Sequence, residues 1–206
     1  MPVRQVRVVC MSRVTSVCCE LTRTDTIQLA EGHYKESISL AAVDVEIIGV
    51  GERNNIIIES VSKPVLTFRA VKGVVRNVTL RQTGGGCECS VDIAAGALLL
   101  ENCDISGQSD TVIKIHNEGT RPQLRGNIIH DCTGAGILVS ASAAPLICNN
   151  DICTHQLDGL VISTGGCPTV QGNRIYQCKT TGVLVKGGKI AALPPCLCSH
   201  CNCKAK

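Results

Sequence analysis

Apolar residues recur with a period of 23 residues along residues 122–189. In each copy an asparagine follows the opening proline by five positions, and a glycine follows the asparagine by nine. These markers are Pro122, Pro145 and Pro168; Asn127, Asn150 and Asn173; and Gly136, Gly159 and Gly182. Each copy holds two short strand-like apolar runs. A unit this small cannot bury its apolar face alone, so the pattern predicts a solenoid of stacked units.

The apolar positions also form columns between the markers. The columns are Leu124, Ile147 and Val170; Ile129, Ile152 and Ile175; Ile137, Leu160 and Val183; and Val139, Ile162 and Val185. Similar β-branched runs, closed by turn residues, occur upstream at 26–29, 37–40, 45–48, 56–59, 65–68, 74–80, 91–93, 98–100 and 112–115. We interpret residues 31–36 as a turn and residues 84–89, which contain three glycines, as a loop that leaves the rod.

The gaps between runs are too short for crossover helices, so equivalent strands must pair in parallel and in register, as in a β-helix. We therefore predict an all-β, single-stranded parallel β-helix over residues 26–189. About seven turns, stacked at about 4.8 Å, make a rod of about 34 Å.

The two ends of the chain depart from this pattern. Residues 1–25 are predicted to be a leader or an N-terminal cap, with an edge strand at 6–9; their arginines superficially resemble a mitochondrial transit peptide. Residues 190–206 are predicted to be a Cys-rich tail, which either folds over the last turn or precedes further chain. Cysteines 196, 198, 201 and 203 could chelate a soft metal, but paired Cys-x-x-Cys knuckles are lacking, so we expect no metal and no cofactor.

Composition restricts the class of protein further. Hydrophobic residues make up 44% of the chain, which suffices for one domain, and a net charge of +3 with scattered basic residues argues against nucleic acid as a partner. Fifteen cysteines are present, many at repeat positions occupied elsewhere by Asn, His or Leu. We interpret them as reduced, buried thiols and expect an intracellular monomer, cytoplasmic or nuclear. No apolar run approaches the length of about 18 residues that a membrane span requires.

Two columns of polar residues recur in the repeats. Asn127, Asn150 and Asn173 are predicted to stack as an amide ladder that satisfies buried polar groups and fixes the register. Cys132, His155 and Cys178 form a second column with zinc-type ligands. Residues at the same position of successive turns would lie in a straight line, whereas the ligands of a tetrahedral metal site must converge on one point. We therefore predict an apolar or half-buried corner.

Acidic residues support the alternative hypothesis that the chain is an enzyme. Asp104 and Asp151 fall at comparable positions two turns apart, which could place them about 10 Å apart, within reach of glycoside chemistry. Supporting carboxylates are lacking, and Tyr34, Phe68 and Tyr176 are the only aromatic residues that could stack on sugars. The pair His130-Asp131 invites an acid/base role, but its counterparts in the other copies share no chemistry with it, which favours a solvated outward face.

Several motifs together resemble a known family. They are the segment Gly-His-Tyr-Lys-Glu at 32–36, Val-Glu-Ile-Ile-Gly at 45–49, Cys-Asp-Ile at 103–105, and the Pro-x-apolar-x-x-Asn-x-Ile repeats. About four fifths of the chain, residues 26–189, resembles the right-handed parallel β-helix repeats, and most nearly those of the β-helical F-box proteins, the substrate receptors of cullin-RING ubiquitin ligases. The resemblance supplies no catalytic residues. Neither a leucine-rich F-box nor a zinc-binding UBR-like module is recognisable here, so it implies only the substrate-facing part of such a receptor, a fragment or a paralogue.

From these observations we expect a non-enzymatic protein-interaction module, which the resemblance links to substrate recognition for ubiquitination. The alternatives are a β-helix polysaccharide lyase or glycoside hydrolase, and a structural scaffold fragment. The residues predicted to bind a protein partner are outward-facing and polar, and accompany the loop at 84–89: Lys114, His116, Arg121, Arg125, His130 and Asp131.

Overall fold

Three parallel β-sheets run along the computed structural model, which describes residues 6–9, 25–41, 44–191 and 204–205. Sheet 1 contains β1 (Val6–Val9), β2 (Asp25–Leu29), β5 (Val45–Gly49), β8 (Lys72–Arg76), β11 (Ala97–Glu101), β14 (Gln123–Arg125), β17 (Leu146–Cys148) and β20 (Thr169–Gln171). Sheet 2 contains β3 (Gly32–Lys35), β6 (Ile56–Ser60), β9 (Thr79–Gln82), β12 (Asp104–Gly107), β15 (Ile128–His130), β18 (Asp151–Cys153) and β21 (Arg174–Tyr176). Sheet 3 contains β4 (Ile38–Leu40), β7 (Leu66–Phe68), β10 (Cys89–Ile93), β13 (Thr111–Ile115), β16 (Ala135–Val139), β19 (Leu160–Ser163), β22 (Val183–Lys186) and β23 (Lys204–Ala205).

Each turn of the chain adds one strand to each sheet in succession. The turns run from β2–β3–β4 to β20–β21–β22, which makes seven. The predicted right-handed parallel β-helix of about seven turns is therefore confirmed. The one helical segment in the described ranges is a 3₁₀ turn, Arg53–Asn55. No helix among those residues is long and apolar enough to cross a bilayer.

The prediction of two strands per repeat is wrong, because each turn has three. The corner between sheets 1 and 2 is so short that two strands read as one run in the sequence. The run predicted at 74–80 is divided between β8 and β9 by Asn77, whose φ is 57°. Asn102, Gly126, Asn149 and Gly172 occupy the same left-handed position in later turns. Asn and Gly tolerate this conformation best, so they set the corner.

Two upstream interpretations also need correction. The turn predicted at 31–36 contains strand β3, in which the Tyr34 side chain points inward and is buried. The loop at 84–89 joins β9 to β10 and leaves the rod only at its tip. Cys87 and Cys89 are buried, whereas Gly85 and Gly86 are exposed.

The apolar columns of the sequence are the registered core of the rod. Ile129 pairs with Ile152 and Ile152 with Ile175 in sheet 2, and all three side chains are fully buried. Sheets 1 and 3 repeat this arrangement with their own inward columns. Burying each such side chain contributes about 1.5–3 kcal/mol before the entropy cost of folding, so a shift of register would be expensive.

Short strands continue the sheets at both ends. Strand β1, at the position of the predicted edge strand, pairs in parallel with β2, and β23 pairs with β22. The rest of the predicted leader, and the cysteines 196, 198, 201 and 203, lie outside the described residues. The eight cysteines within the described ranges are free thiols.

Candidate binding groove at one corner of the solenoid

The six residues predicted to bind a partner do not share one face. Arg125 lies on sheet 1, and Arg121 lies in the turn before that strand. His130 and Asp131 lie on sheet 2 and in the turn that follows it. Lys114 and His116 lie on sheet 3 and in the turn that follows it. The structure brings two of them into contact with each other, His130 and Asp131.

The pair on sheet 3 is held by acids of neighbouring turns. Lys114 forms an ion pair with Glu88, in the loop at 84–89, and this hydrogen bond raises the pKa of Lys114. His116 Nε2 lies 2.8 Å from Asp92 Oδ1, and the Arg69 guanidinium lies 3.2 Å from the other oxygen of Asp92. The charged and polar groups of these side chains are thus paired with one another across neighbouring turns.

His130 lies between two carboxylates on the outer side of sheet 2. Its Nε2 is 2.9 Å from Asp104 Oδ1 on the preceding turn, and its Nδ1 is 2.8 Å from Asp131 Oδ2. A neutral imidazole can donate one of these hydrogen bonds, whereas a protonated ring donates both. The hydrogen bond to Asp104, and then that to Asp131, raise the pKa of His130 although partial burial opposes them.

Asp131 is held from the other side by Thr154 on the next turn. Thr154 Oγ1 donates to Asp131 Oδ1 at 2.7 Å, and the Asp131 backbone N–H donates to Thr154 Oγ1 at 3.3 Å. The Thr154 contact, followed by His130, lowers the pKa of Asp131. Asp131, Thr154 and Gln177 have φ values of 53°, 58° and 55°. The left-handed corner turns these side chains outward at each turn, and it is an unusual conformation for a β-branched threonine.

A groove runs beside this network, along the corner between sheets 2 and 3. It consists of two adjoining hollows of about 440 Å³ and about 160 Å³. Both hollows are lined by Gly107, Gln108 and Asp131. The larger is also lined by Cys132, Thr133, Thr154 and Gln156, and the smaller by Arg81, Gln82, Thr83 and Ser106. We call these eleven residues the corner groove.

The comparison with protein families agrees with this architecture. A family model described as the right-handed β-helix region matches residues 51–203, about three quarters of the chain. The chain belongs to the right-handed β-helix family. No curated protein matches the chain significantly. Membership of the family fixes the architecture of the rod, but function resides in the side chains that each member carries on it.

Sequence reasoning found two residues of the corner groove region, His130 and Asp131, and missed most of the others. Thr154 could have been found, because it occupies the column of Asp131 one period later. Arg81 and Ser106 align with His130 in the strand register of sheet 2, and we call such a row of aligned positions a rank. Their spacing of 25 and then 24 residues departs from the period of 23, so only the strand register reveals their alignment.

The β-helix is stabilised at another corner, between sheets 1 and 2, by the asparagine ladder. Asn127 Nδ2 donates to Asn150 Oδ1, and Asn150 Nδ2 donates to Asn173 Oδ1, each at 2.9 Å. The backbone N–H groups of Asn127 and Asn150 donate to the same two oxygens, also at 2.9 Å. All three residues are buried, so their amides complete the hydrogen bonding of a corner from which water is excluded.

In the second column, Cys132 and His155 are buried and form the wall behind the groove, and Cys178, on the next turn, is partly buried. Cys132 Sγ lies 3.2 Å from His155 Nδ1, while His155 Nε2 is buried and has no hydrogen-bond partner among the residues that the structure describes. Burial lowers the pKa of His155 to about 4 and raises that of Cys132 to about 11, so both side chains are neutral at neutral pH. Within the ranges that the structure describes, no group of three His, Cys, Asp or Glu residues could hold a metal ion.

The two acids of the enzymatic alternative share one outward rank of sheet 2. Asp104 and Asp151 flank Ile128 in the strand register. Each is engaged by a base: Asp104 by His130, and Asp151 by Arg174, whose Nε and terminal nitrogen lie 2.6 and 2.7 Å from its two oxygens. Hydrogen bonds to His130 and Arg174 therefore constrain both carboxylates.

Proposed function

We propose that this β-helix protein is a non-enzymatic protein-interaction module that holds an extended segment of a partner in the corner groove. The proposal rests on the lining of the groove. Apart from Gly107 and the Cys132 thiol, every lining residue has a polar side chain. Sites for small molecules are mostly lined by hydrophobic and aromatic side chains, whereas hydroxyl and amide groups in an open row suit a peptide backbone.

The length of the groove supports an extended peptide. Its lining begins on the third turn with Arg81 and ends on the sixth turn with Gln156. Three rung spacings are about 14 Å, which an extended chain covers with about four residues. A short linear segment is therefore the partner element that matches the groove in length.

Apolar side chains occur in the turns of the same corner. Val61, 62% exposed, follows β6, and its carbonyl accepts a hydrogen bond from Gln82 Nε2 at 3.1 Å. Leu157, 48% exposed, directly follows Gln156. Exposed apolar residues beside a polar row are typical of protein-binding surfaces, in which they provide buried contact area.

A finer form of the proposal follows from the resemblance to the β-helical F-box proteins. In that form the bound segment belongs to a protein destined for ubiquitination, and the chain acts as a substrate receptor for a cullin-RING ligase. The rigid rod would present the segment at a fixed position relative to the ligase.

The groove can be tested by cross-linking followed by blocking. A photo-cross-linking amino acid placed at Thr133 should capture a partner that the same residue at Gln123, on sheet 1, does not. The captured protein is then purified and its affinity measured by calorimetry. Gln108→Trp, which fills the groove, should abolish binding, whereas the same change at the exposed Gln171 of sheet 1 should leave it unchanged.

Equal affinities of the two tryptophan variants would place the binding site elsewhere and overturn the proposal. The ligase form is tested separately by pull-down with the native chain, scored for cullin and adaptor proteins. A partner that depends on the groove but is recovered without these components would refute the ligase role alone.

A second candidate function is a polysaccharide lyase or glycoside hydrolase. The observation in its favour is that Asp104 and Asp151 share a rank about 10 Å apart, close to the separation used by inverting glycosidases. This candidate requires activity on polyuronates or related polysaccharides that disappears in Asp151→Asn. Activity that is unchanged in that variant would exclude this pair as the catalytic one.

A further inference from the structure

The charges that line the corner groove are not equally engaged. Both oxygens of Asp131 accept hydrogen bonds, from Thr154 and from His130, and the His130 ring also holds Asp104. The exposed Arg81 guanidinium, by contrast, has no hydrogen bond or ion pair to any residue that the structure describes. The groove therefore contains one acid, Asp131, that is already hydrogen-bonded, and one cation, Arg81, that is available.

The neighbours of Arg81 in its rank leave it available. Glu59, directly above it in the register, has one carboxylate oxygen 3.3 Å from His33 Nε2 and lies outside ion-pair distance of Arg81. Ser106, directly below it, is neutral. The hydroxyl of Thr83 and the amide of Gln108 line the same hollow and can donate hydrogen bonds to an anion.

We infer that the corner groove binds a segment that carries one acidic side chain at Arg81, followed by uncharged polar residues toward Gln156. This inference rests on the proposed function and names the chemistry of its partner. A guanidinium binds a carboxylate through two parallel hydrogen bonds, which fixes the register of the segment as well as adding affinity. The engaged carboxylate of Asp131 lies two turns, or about 10 Å, below Arg81 and disfavours a second acid there.

Pentapeptides provide the test. Capped Ser-Ser-Glu-Ser-Ser and its variants with Lys or Gln in the middle are titrated into the ¹⁵N-labelled full chain, and amide shifts give the affinities. The Glu peptide should shift amides of the groove and bind more tightly than the other two. Arg81→Gln should weaken it about tenfold or more, because a charge-assisted hydrogen bond is lost. Arg125→Gln removes the same charge from sheet 1 and should change the affinity less than twofold.

Several results would overturn the inference. One is tighter binding of the Lys peptide than of the Glu peptide. Another is an equal loss of affinity for the Glu peptide in Arg81→Gln and Arg125→Gln. A third is the absence of amide shifts in the groove at tens of millimolar Glu peptide. Sodium acetate that matched the Glu peptide in affinity would reduce the site to simple anion binding. A cross-linked partner blocked by Gln108→Trp but indifferent to Arg81→Gln would refute the acidic segment while leaving the proposed function intact.

Discussion

Asn150 occupies the middle of the amide ladder, so its replacement by alanine tests the structural role of that column. The Asn150 side chain accepts from the Asn127 backbone N–H at 2.9 Å and donates to the Leu124 carbonyl at 2.9 Å. It also donates to Asn173 at 2.9 Å. Alanine cannot replace any of these bonds, and the residue is fully buried, so water cannot reach the groups left behind.

The expected loss follows from the groups that are left without partners. A buried donor or acceptor without a partner costs about 1–3 kcal/mol, and Asn150→Ala removes the acceptor of both the Asn127 backbone N–H and one Asn127 Nδ2 hydrogen. We therefore expect the free energy of unfolding to fall by about 2–6 kcal/mol. Asn149→Gly is the matched control, because Asn149 is exposed and glycine tolerates its φ of 56°.

Urea unfolding followed by circular dichroism measures both variants. The control should stay within about 0.5 kcal/mol of the native chain, as surface substitutions usually do. A loss below about 1 kcal/mol in Asn150→Ala, or a loss equal to that of the control, would refute the view that the ladder stabilises the rod. Because solenoids can unfold in parts, the slopes of the transitions should be compared before the midpoints are converted into energies.

Three further predictions concern Gly136 and the histidines His130 and His155. Gly136→Ala should lower the urea midpoint strongly, because a Cβ there would lie 2.4 Å from His155 Nε2. Gly85→Ala should not lower it, because no atom of the described residues lies within 4 Å of a Cβ at that position. Equal midpoints of the two variants would contradict this packing. Because the pKa of His130 is raised, its hydrogen bonds to Asp104 and Asp131 stabilise the fold fully below the ordinary pKa of 6.5, and this stabilisation is lost as the pH rises through the folded pKa. The difference in urea midpoint between the native chain and His130→Gln should therefore narrow from about pH 6 to about pH 9. The lowered pKa of His155, about 4, has the opposite effect: stability is lost as the pH falls from 6.5 toward 4, and in NMR titrations this ring should titrate near pH 4. Parallel titration of the two rings would refute both assignments.

The fold could be predicted because its core is periodic in the sequence. Columns such as Ile129, Ile152 and Ile175 allow one arrangement in which every member is buried, and that arrangement is the parallel stack. The third strand of each turn was missed for a physical reason. Where Asn77 bends the chain in the left-handed region, the apolar pattern continues without a visible break.

The groove was only partly predictable. His130 and Asp131 are adjacent in the chain, so their pairing is a local property. Arg81 reaches the same rank through turns of unequal length, and its neighbours in that rank, Glu59 and Ser106, come from other turns. Such facts arise from the register of distant strands and have no local signature in the sequence.

Arg81, Ser106, His130 and Cys153 form one rank, in which the spacing between successive positions is fixed by the stacking of the turns. Distances between binding positions along it come only in multiples of about 4.8 Å, since each turn contributes one position. A point substitution can change what a position recognises but not where it lies. Gain or loss of a whole turn would instead lengthen or shorten the recognised segment by one to two residues, with the local geometry of the remaining turns preserved.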